Sequence, residues 1–234
     1  MKARLIESTE IAPDVRHFVF EACDVERLEF TPGQFVSLMD VVNGKKITRP
    51  YSVASAPNGS NHFALCLNKL PHGIFSPHLF DLKPGDELEM RAPTGMFVVR
   101  DPARECVFVA TGTGIAPFRS LLQAHVPHAH LKPGSPHFTL LFGVRYQQTI
   151  MYRAEWEEMA REFPQFRFMP VLSRPDETWT GRSGHVQAHL AEAIGDRRDC
   201  DVFLCGMKAM VDDVRSILKE MGFDKKQILF EKYD

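Results

Sequence analysis

No apolar run in the sequence approaches the ~20 residues that a membrane-spanning helix needs. The N-terminus, MKARLIESTE, turns polar too soon for a secretory signal peptide. Cysteine is sparse: Cys23, Cys66, Cys106, Cys200 and Cys205 are odd in number, scattered, and never spaced as CxxC. That pattern argues against a disulfide framework, a structural zinc or an iron–sulfur cluster, and suits a reducing cytosol. Positive charge is not in excess either. Lys and Arg number 28 against 30 Asp and Glu, which leaves no global basic field for nucleic acid. The common dinucleotide fingerprint GxGxxG is also missing. What remains is an ordinary globular composition, 44% hydrophobic and 25% charged over 234 residues. This is enough chain for one large or two small domains with a real core.

The most informative stretch is Glu105 to Leu122, ECVFVATGTGIAPFRSLL. Cys106–Ala110 is a short apolar run, as in a strand buried on both faces of a parallel sheet. Thr111-Gly112-Thr113-Gly114 follows, and then helical spacing at Ile115, Phe118, Leu121 and Leu122, with Pro117 in the first turn. Strand, glycine turn and helix start together aim backbone N–H groups at a phosphate. A tight βα turn without a ligand has the same local pattern.

The first hundred residues read as strands: Val15–Phe20, Gln34–Met39, Arg49–Ala54, His62–Asn68 and Glu87–Arg91. Pro-Gly and Asn-Gly turn signals separate them, which predicts an antiparallel barrel or sandwich. A short helix is predicted near Ser76–Asp81, with Ser76 as N-cap and Pro77 at its first position. Two clusters within this half suit a flat, phosphate-bearing ligand. In Arg49-Pro50-Tyr51-Ser52, a guanidinium suits pyrophosphate, the tyrosine can lie on a ring system, and the serine can bond a ring nitrogen. In Gly73-Ile74-Phe75-Ser76, the glycine permits close approach and the helix start offers donors. An ordinary half-exposed strand and a plain helix cap fit the same residues.

After Asp101-Pro102, a predicted boundary, strands and helices alternate. Strands are expected at Phe138–Phe142, Phe166–Leu172 and Val202–Cys205, and helices at Arg153–Glu162, Val186–Ala193 and Ala209–Met221. The alternation predicts a parallel sheet covered on both faces. Residues 124–137 hold His125, His128, His130 and His137 among prolines; they lack a metal-ligand spacing and read as a polar loop. Arg145, Ser173-Arg174 and Arg182 follow successive strand exits, where three arginines suit a phosphate monoester. Solvated loop arginines would read the same way. Cys205-Gly206 closes the next strand, and the chain ends Phe230-Glu231-Lys232-Tyr233-Asp234.

RPYS, GIFS and PTGMF (93–97), followed in order by the glycine turn, the arginines and the Cys-Gly pair, resemble the ferredoxin–NADP reductase family over essentially the whole chain. The resemblance implies an antiparallel β-barrel flavin domain (1–101) followed by an α/β parallel-sheet NADP(H) domain (102–234). It implies FAD and NADP(H) as cofactors, no metal, and a ferredoxin- or flavodoxin-type electron carrier as partner. Arg49 and Ser76 would hold the pyrophosphate, Tyr51 would stack on the isoalloxazine, and Ser52 would lie near flavin N5. Pro50, Leu67, Asn68, Gly73, Ile74 and Phe75 would complete the flavin site. Thr111 to Gly114, Arg145, Ser173, Arg174, Arg182, Gly206 and Met207 would bind the nucleotide. Ser52, Cys205 and Glu231 would line the transfer site, and Tyr233 would cover the flavin. The family often places prolines after its Cys-Gly pair; Met207-Lys208-Ala209-Met210 departs from that. Asp234 lies one residue beyond the plant pattern. WTGRSGHV (179–186) is also similar to NADH-using reductases of oxygenase systems. An NADH-dependent reductase component, a free-flavin reductase and a non-catalytic electron-transfer subunit therefore stand as alternatives.

Overall fold

The computed structural model describes residues 1–129 and 136–233. His130 and Asp234 lie outside the described residues. Two six-stranded sheets organise the chain. The first is built from β1 (Lys2–Ala12), β2 (Val15–Ala22), β3 (Phe35–Val42), β4 (Lys45–Ser52), β5 (His62–Asn68) and β6 (Glu87–Thr94), in the order β4-β3-β6-β1-β2-β5. All of its pairings are antiparallel. A bridge from Val53 to Leu65, with the Ala54 amide donating to the Ala64 carbonyl at 2.7 Å, joins the two end strands into a barrel. Phe18, Phe20, Leu38, Phe63 and Leu65 fill it, and the helix α1 (Phe75–Asp81) closes one end with Phe75 and Leu79.

Strand β1 is absent from the sequence-based expectation. Its alternation is broken by register shifts at Leu5/Glu7 and Glu10/Ala12, so the two-residue period that marks a strand is interrupted. Ser76 is not an N-cap. The helix begins two residues earlier, at Phe75 with Ile74 at the cap, so Pro77 is its third residue, and the buried Ser76 hydroxyl accepts a hydrogen bond from the Leu70 amide at 3.0 Å.

The second sheet is wholly parallel. It comprises β7 (Glu105–Thr111), β8 (Phe138–Val144), β9 (Phe166–Leu172), the short β10 (Arg182–Ser183), β11 (Cys200–Met207) and β12 (Ile228–Tyr233), in the order β10-β9-β8-β7-β11-β12. Helices α2 (Ile115–Ala129) and α3 (Arg153–Glu162) pack on one face. The segment Val186–His189, α4 (Leu190–Ile194) and α5 (Lys208–Glu220) pack on the other. The predicted helix 186–193 is thus a 3-10 turn running into a short α-helix. His125 and His128 lie in α2 rather than in a loop, because Val126 between them is fully buried and carries the helix onward. The final strand, β12, was not expected: its second half is charged and it lies at the chain end, yet it pairs with β11 from Ile228 to Tyr233.

From β7 the chain steps outward through β8, β9 and β10 and then crosses back to place β11 on the other side of β7, so the strand order reverses between β7 and β11. Ligands of open parallel sheets bind outside the carboxyl ends of the strands at such a point. The barrel abuts this end through the core cluster that joins Ala54, Cys66 and Phe97 to Phe108, Phe118 and Met151. At the seam, His17 Nδ1 and the Tyr152 hydroxyl are 2.9 Å apart. Burial, and then the charge of Arg119, push His17 down from 6.5 to about 4, with Glu7 opposing. A depressed histidine is neutral in the fold, so its contribution is complete above pH 6.5 and is lost as pH falls toward 4. Urea titrations at pH 7 and pH 4.5 should show wild-type stability falling by about 2 kcal/mol more than that of His17→Gln. Parallel losses in the two proteins would show that His17 does not titrate this way.

Candidate functional site at the seam of the two sheets

Four side chains from three strands converge at the reversal point. Cys205 on β11 and Glu231 on β12 are paired in register, and Met207 pairs with Tyr233. Ser52, the last residue of β4, reaches them from the barrel. The Tyr233 hydroxyl donates to Ser52 Oγ at 2.5 Å, and Ser52 Oγ donates to Glu231 Oε2 at 3.4 Å. The result is a one-way chain of donors from a phenol, through a hydroxyl, to a carboxylate. Burial holds the Tyr233 phenol well above its ordinary range, so it stays protonated and donates. Burial also raises Glu231, opposed by its bond from Ser52. The Cys205 thiol is fully buried and pushed far upward, first by burial and then by the charge of Glu231. A thiol held neutral is no nucleophile; it forms a small, polarisable wall.

Backbone geometry brings the strand exits together tightly. A Cβ on Gly114 would collide with the Cys205 carbonyl, and one on Gly206 would collide with the Thr111 hydroxyl. Only glycine allows β7 and β11 to end this close. The Met207 amide then donates to Thr111 Oγ1 at 3.2 Å. Gly112, at φ +54°, turns the chain into α2, and no atom lies within 4 Å of where its Cβ would stand. The Thr111–Gly114 turn is therefore open at Gly112, at the start of a 15-residue helix, a setting suited to an anionic group.

On the barrel side, Arg49 and Pro50 are exposed, and the Arg49 guanidinium donates to the Thr48 carbonyl at 2.8 Å. Tyr51 is half-buried and stacks on Phe75, with ring centroids 6.4 Å apart and planes at 19°. Burial raises its phenol, with the charge of Arg49 opposing. Phe75 and Leu67 themselves point into the barrel core, so their side chains face away from any external ligand. Asn68 ends β5, and Ile74 is 54% exposed just before α1. Gly73 is crowded by its own loop: a Cβ there would stand 2.9 Å from Leu70 Cβ and 3.1 Å from Ser76 Oγ.

The three arginines are not engaged alike. The exits of β8 and β9 are laced together, with the Ser173 amide on the Val144 carbonyl and the Arg174 amide on the Arg145 carbonyl, both at 2.9 Å. Arg174 Nη1 donates to the Tyr146 hydroxyl at 3.4 Å. Arg182 points elsewhere. Its Nε donates to Glu192 Oε2 at 2.9 Å and its Nη2 to Glu192 Oε1 at 2.5 Å, a carboxylate that Arg167 shares. These cations hold Glu192 down at about 2. Tyr146 was missed by the sequence reading; its signal is an aromatic directly after Arg145 at a strand exit.

Residues 2–99 match the model of the oxidoreductase FAD-binding domain, and residues 108–216 that of the oxidoreductase NAD-binding domain. Ferredoxin--NADP reductase B of Sorangium cellulosum is 39% identical over 244 residues, covering 100% of this chain and 97% of that protein. The chain belongs to the ferredoxin–NADP reductase family. It is accordingly an oxidoreductase with a flavin-type and a nicotinamide-nucleotide-type domain. Other relatives include electron-transfer components of oxygenases. The anthranilate 1,2-dioxygenase electron transfer component of Acinetobacter baylyi is 30% identical over 89% of this chain, which spans 60% of its length. The Amycolatopsis cytochrome P450 reductase superposes with a TM-score of 0.87 at 29% identity, over 99% of this chain and 69% of that one. Among the described residues no helix is long and apolar enough to cross a membrane.

Proposed function

We propose that the chain carries reducing equivalents from NADPH, through FAD, to a one-electron carrier of the ferredoxin or flavodoxin type. The observation that carries this reading is the meeting of Ser52, Cys205, Glu231 and Tyr233 at the seam of a flavin-type and a nucleotide-type domain. FAD, when bound, supplies the step between hydride donors and single-electron acceptors. The donor set fits it: an exposed guanidinium and a half-buried, neutral tyrosine lie two residues apart on β4. Arg49 holds pyrophosphate, Tyr51 supports the ring system, and Ser52 offers its hydroxyl to the ring edge. The Thr111–Gly114 turn, open at Gly112, receives the nucleotide's phosphates. Cys205 and Glu231 exclude water and orient the nicotinamide without a covalent step. The domains divide at 101/102, and the five unpaired cysteines suit a cytoplasmic setting.

NADPH is preferred over NADH in this reading because Arg174, Arg145, Ser173 and Tyr146 gather at the β8 and β9 exits. The engagement of Arg182 by Glu192 favours the second reading, an NADH-dependent reductase component. Arg174→Ala decides between them. Loss of a charge-assisted contact to a 2′-phosphate should raise KM for NADPH by about 10–100-fold and leave KM for NADH unchanged. Equal changes with the two nucleotides would make the NADH reading the correct one.

A further inference from the structure

We infer that Arg119 is a positioning residue for hydride transfer, fixing the strand that presents Tyr51 and Ser52 to the helix that begins at the nucleotide turn. The inference rests on the reading of those two segments as the halves of one site. Helix α2 starts at Ile115, directly after that turn. Three of its side chains then grip three consecutive barrel residues. Arg119 Nη1 donates to the Ala54 carbonyl at 2.7 Å, and Ser120 Oγ donates to the Ser55 carbonyl at 2.7 Å. The Ala56 amide donates to Gln123 Oε1 at 3.0 Å. Ala54 lies two residues beyond Ser52, and its own amide is tied across the barrel to Ala64. Little slack separates the grip from the serine.

The gripping side chains are themselves held. Glu155 on α3 accepts from Arg119 Nε at 2.8 Å through one oxygen and from Gln123 Nε2 at 2.8 Å through the other. The Tyr152 ring lies 4.6 Å from the Arg119 guanidinium carbon, and its hydroxyl meets His17 of the barrel. The Arg119 side chain is only 16% exposed. A planar guanidinium serves Ala54 and Glu155 along two fixed directions at once; an ammonium has no such fork. Displacements near 1 Å far from the chemistry lower rates of oriented transfers about 100-fold. Arg119 is therefore placed to set the alignment of the two halves of the site.

The test uses the FAD-loaded full chain and two variants. Arg119→Lys keeps the charge beside Glu155 but loses the fork, and Ser120→Ala removes one bond of the grip. For Arg119→Lys, flavin content and the dissociation constant for NADP⁺ should stay within about twofold of wild type. Its rate of flavin bleaching by NADPH in single turnover should fall about 10–100-fold. The long-wavelength absorbance produced by nucleotide stacking should weaken, and amide exchange at residues 54–56 should quicken. Ser120→Ala should show a smaller loss of the same kind. If Arg119→Lys loses its flavin or its fold, Ser120→Ala decides alone, a slower rate supporting the grip and a wild-type rate overturning it. Wild-type bleaching rates in both variants, beside faster exchange at 54–56, would show that the contacts are structural only and overturn the inference. A Ser52→Ala protein that bleaches at the wild-type rate would instead overturn the reading of the site itself.

Discussion

Arg49→Ala should yield a largely colourless protein. The Arg49 guanidinium is exposed on β4 and donates to the carbonyl of its own neighbour, Thr48. It lies outside the barrel core, so its loss should leave the fold standing. Toward a pyrophosphate it supplies up to two charge-assisted hydrogen bonds. Each contributes about 1.5–3 kcal/mol, so affinity for FAD should fall about 10²–10⁴-fold. The check is the ratio of visible to protein absorbance after gel filtration at high dilution, beside a circular dichroism spectrum. Full flavin occupancy in a folded Arg49→Ala protein would remove Arg49 from the site.

Tyr233→Ser should act in the opposite sense, tightening nucleotide binding. The phenol is anchored to Ser52 at 2.5 Å, and its half-buried ring packs against the core cluster that contains Cys205. A nicotinamide ring that is to lie near Ser52 and Cys205 must first displace it. Every 1.4 kcal/mol of that displacement weakens productive binding about tenfold. The serine variant is freed of this cost. It should bind NADP⁺ about 10–100-fold more tightly, on the scale of losing one charged or buried hydrogen bond, and should discriminate less against NAD⁺. Glu231→Gln should instead slow hydride transfer with little change in nucleotide affinity, since the contact Glu231 makes is with Ser52 of the barrel. A titration of each variant, followed by the visible difference spectrum, checks both. Unchanged affinity and specificity in Tyr233→Ser would mean that the ring does not gate the nucleotide.

The two-domain order was legible because its signals are local. A continuous apolar run before a glycine turn marks β7, and period-two segments between Pro-Gly and Asn-Gly turns mark the barrel strands. Where a tertiary effect overrode the local pattern, the reading failed. Bulges interrupt the alternation of β1, and the burial of Val126 draws two histidines into α2. The motifs and the family resemblance also singled out Ser52, Cys205, Glu231 and Tyr233 as candidates, but not their connection. The bond from Tyr233 to Ser52 spans 181 residues of chain and exists only because β12 pairs with β11 against the barrel. Arg119 escaped notice for the same reason, since its partners at Ala54 and Glu155 are distant in sequence. The three arginines looked equivalent along the chain. Glu192, on the far side of the sheet from α2, sets Arg182 apart.

The central claim is that one cleft brings NADPH to FAD ahead of a one-electron acceptor. Anaerobic stopped-flow mixing of the FAD-loaded protein with NADPH and, in parallel, NADH tests it most directly. NADPH should bleach the visible flavin band within a single turnover and at lower concentration than NADH, and ferricyanide should then restore the band. Failure of the purified protein to bind FAD, or a flavin band that neither nucleotide bleaches, would contradict the account.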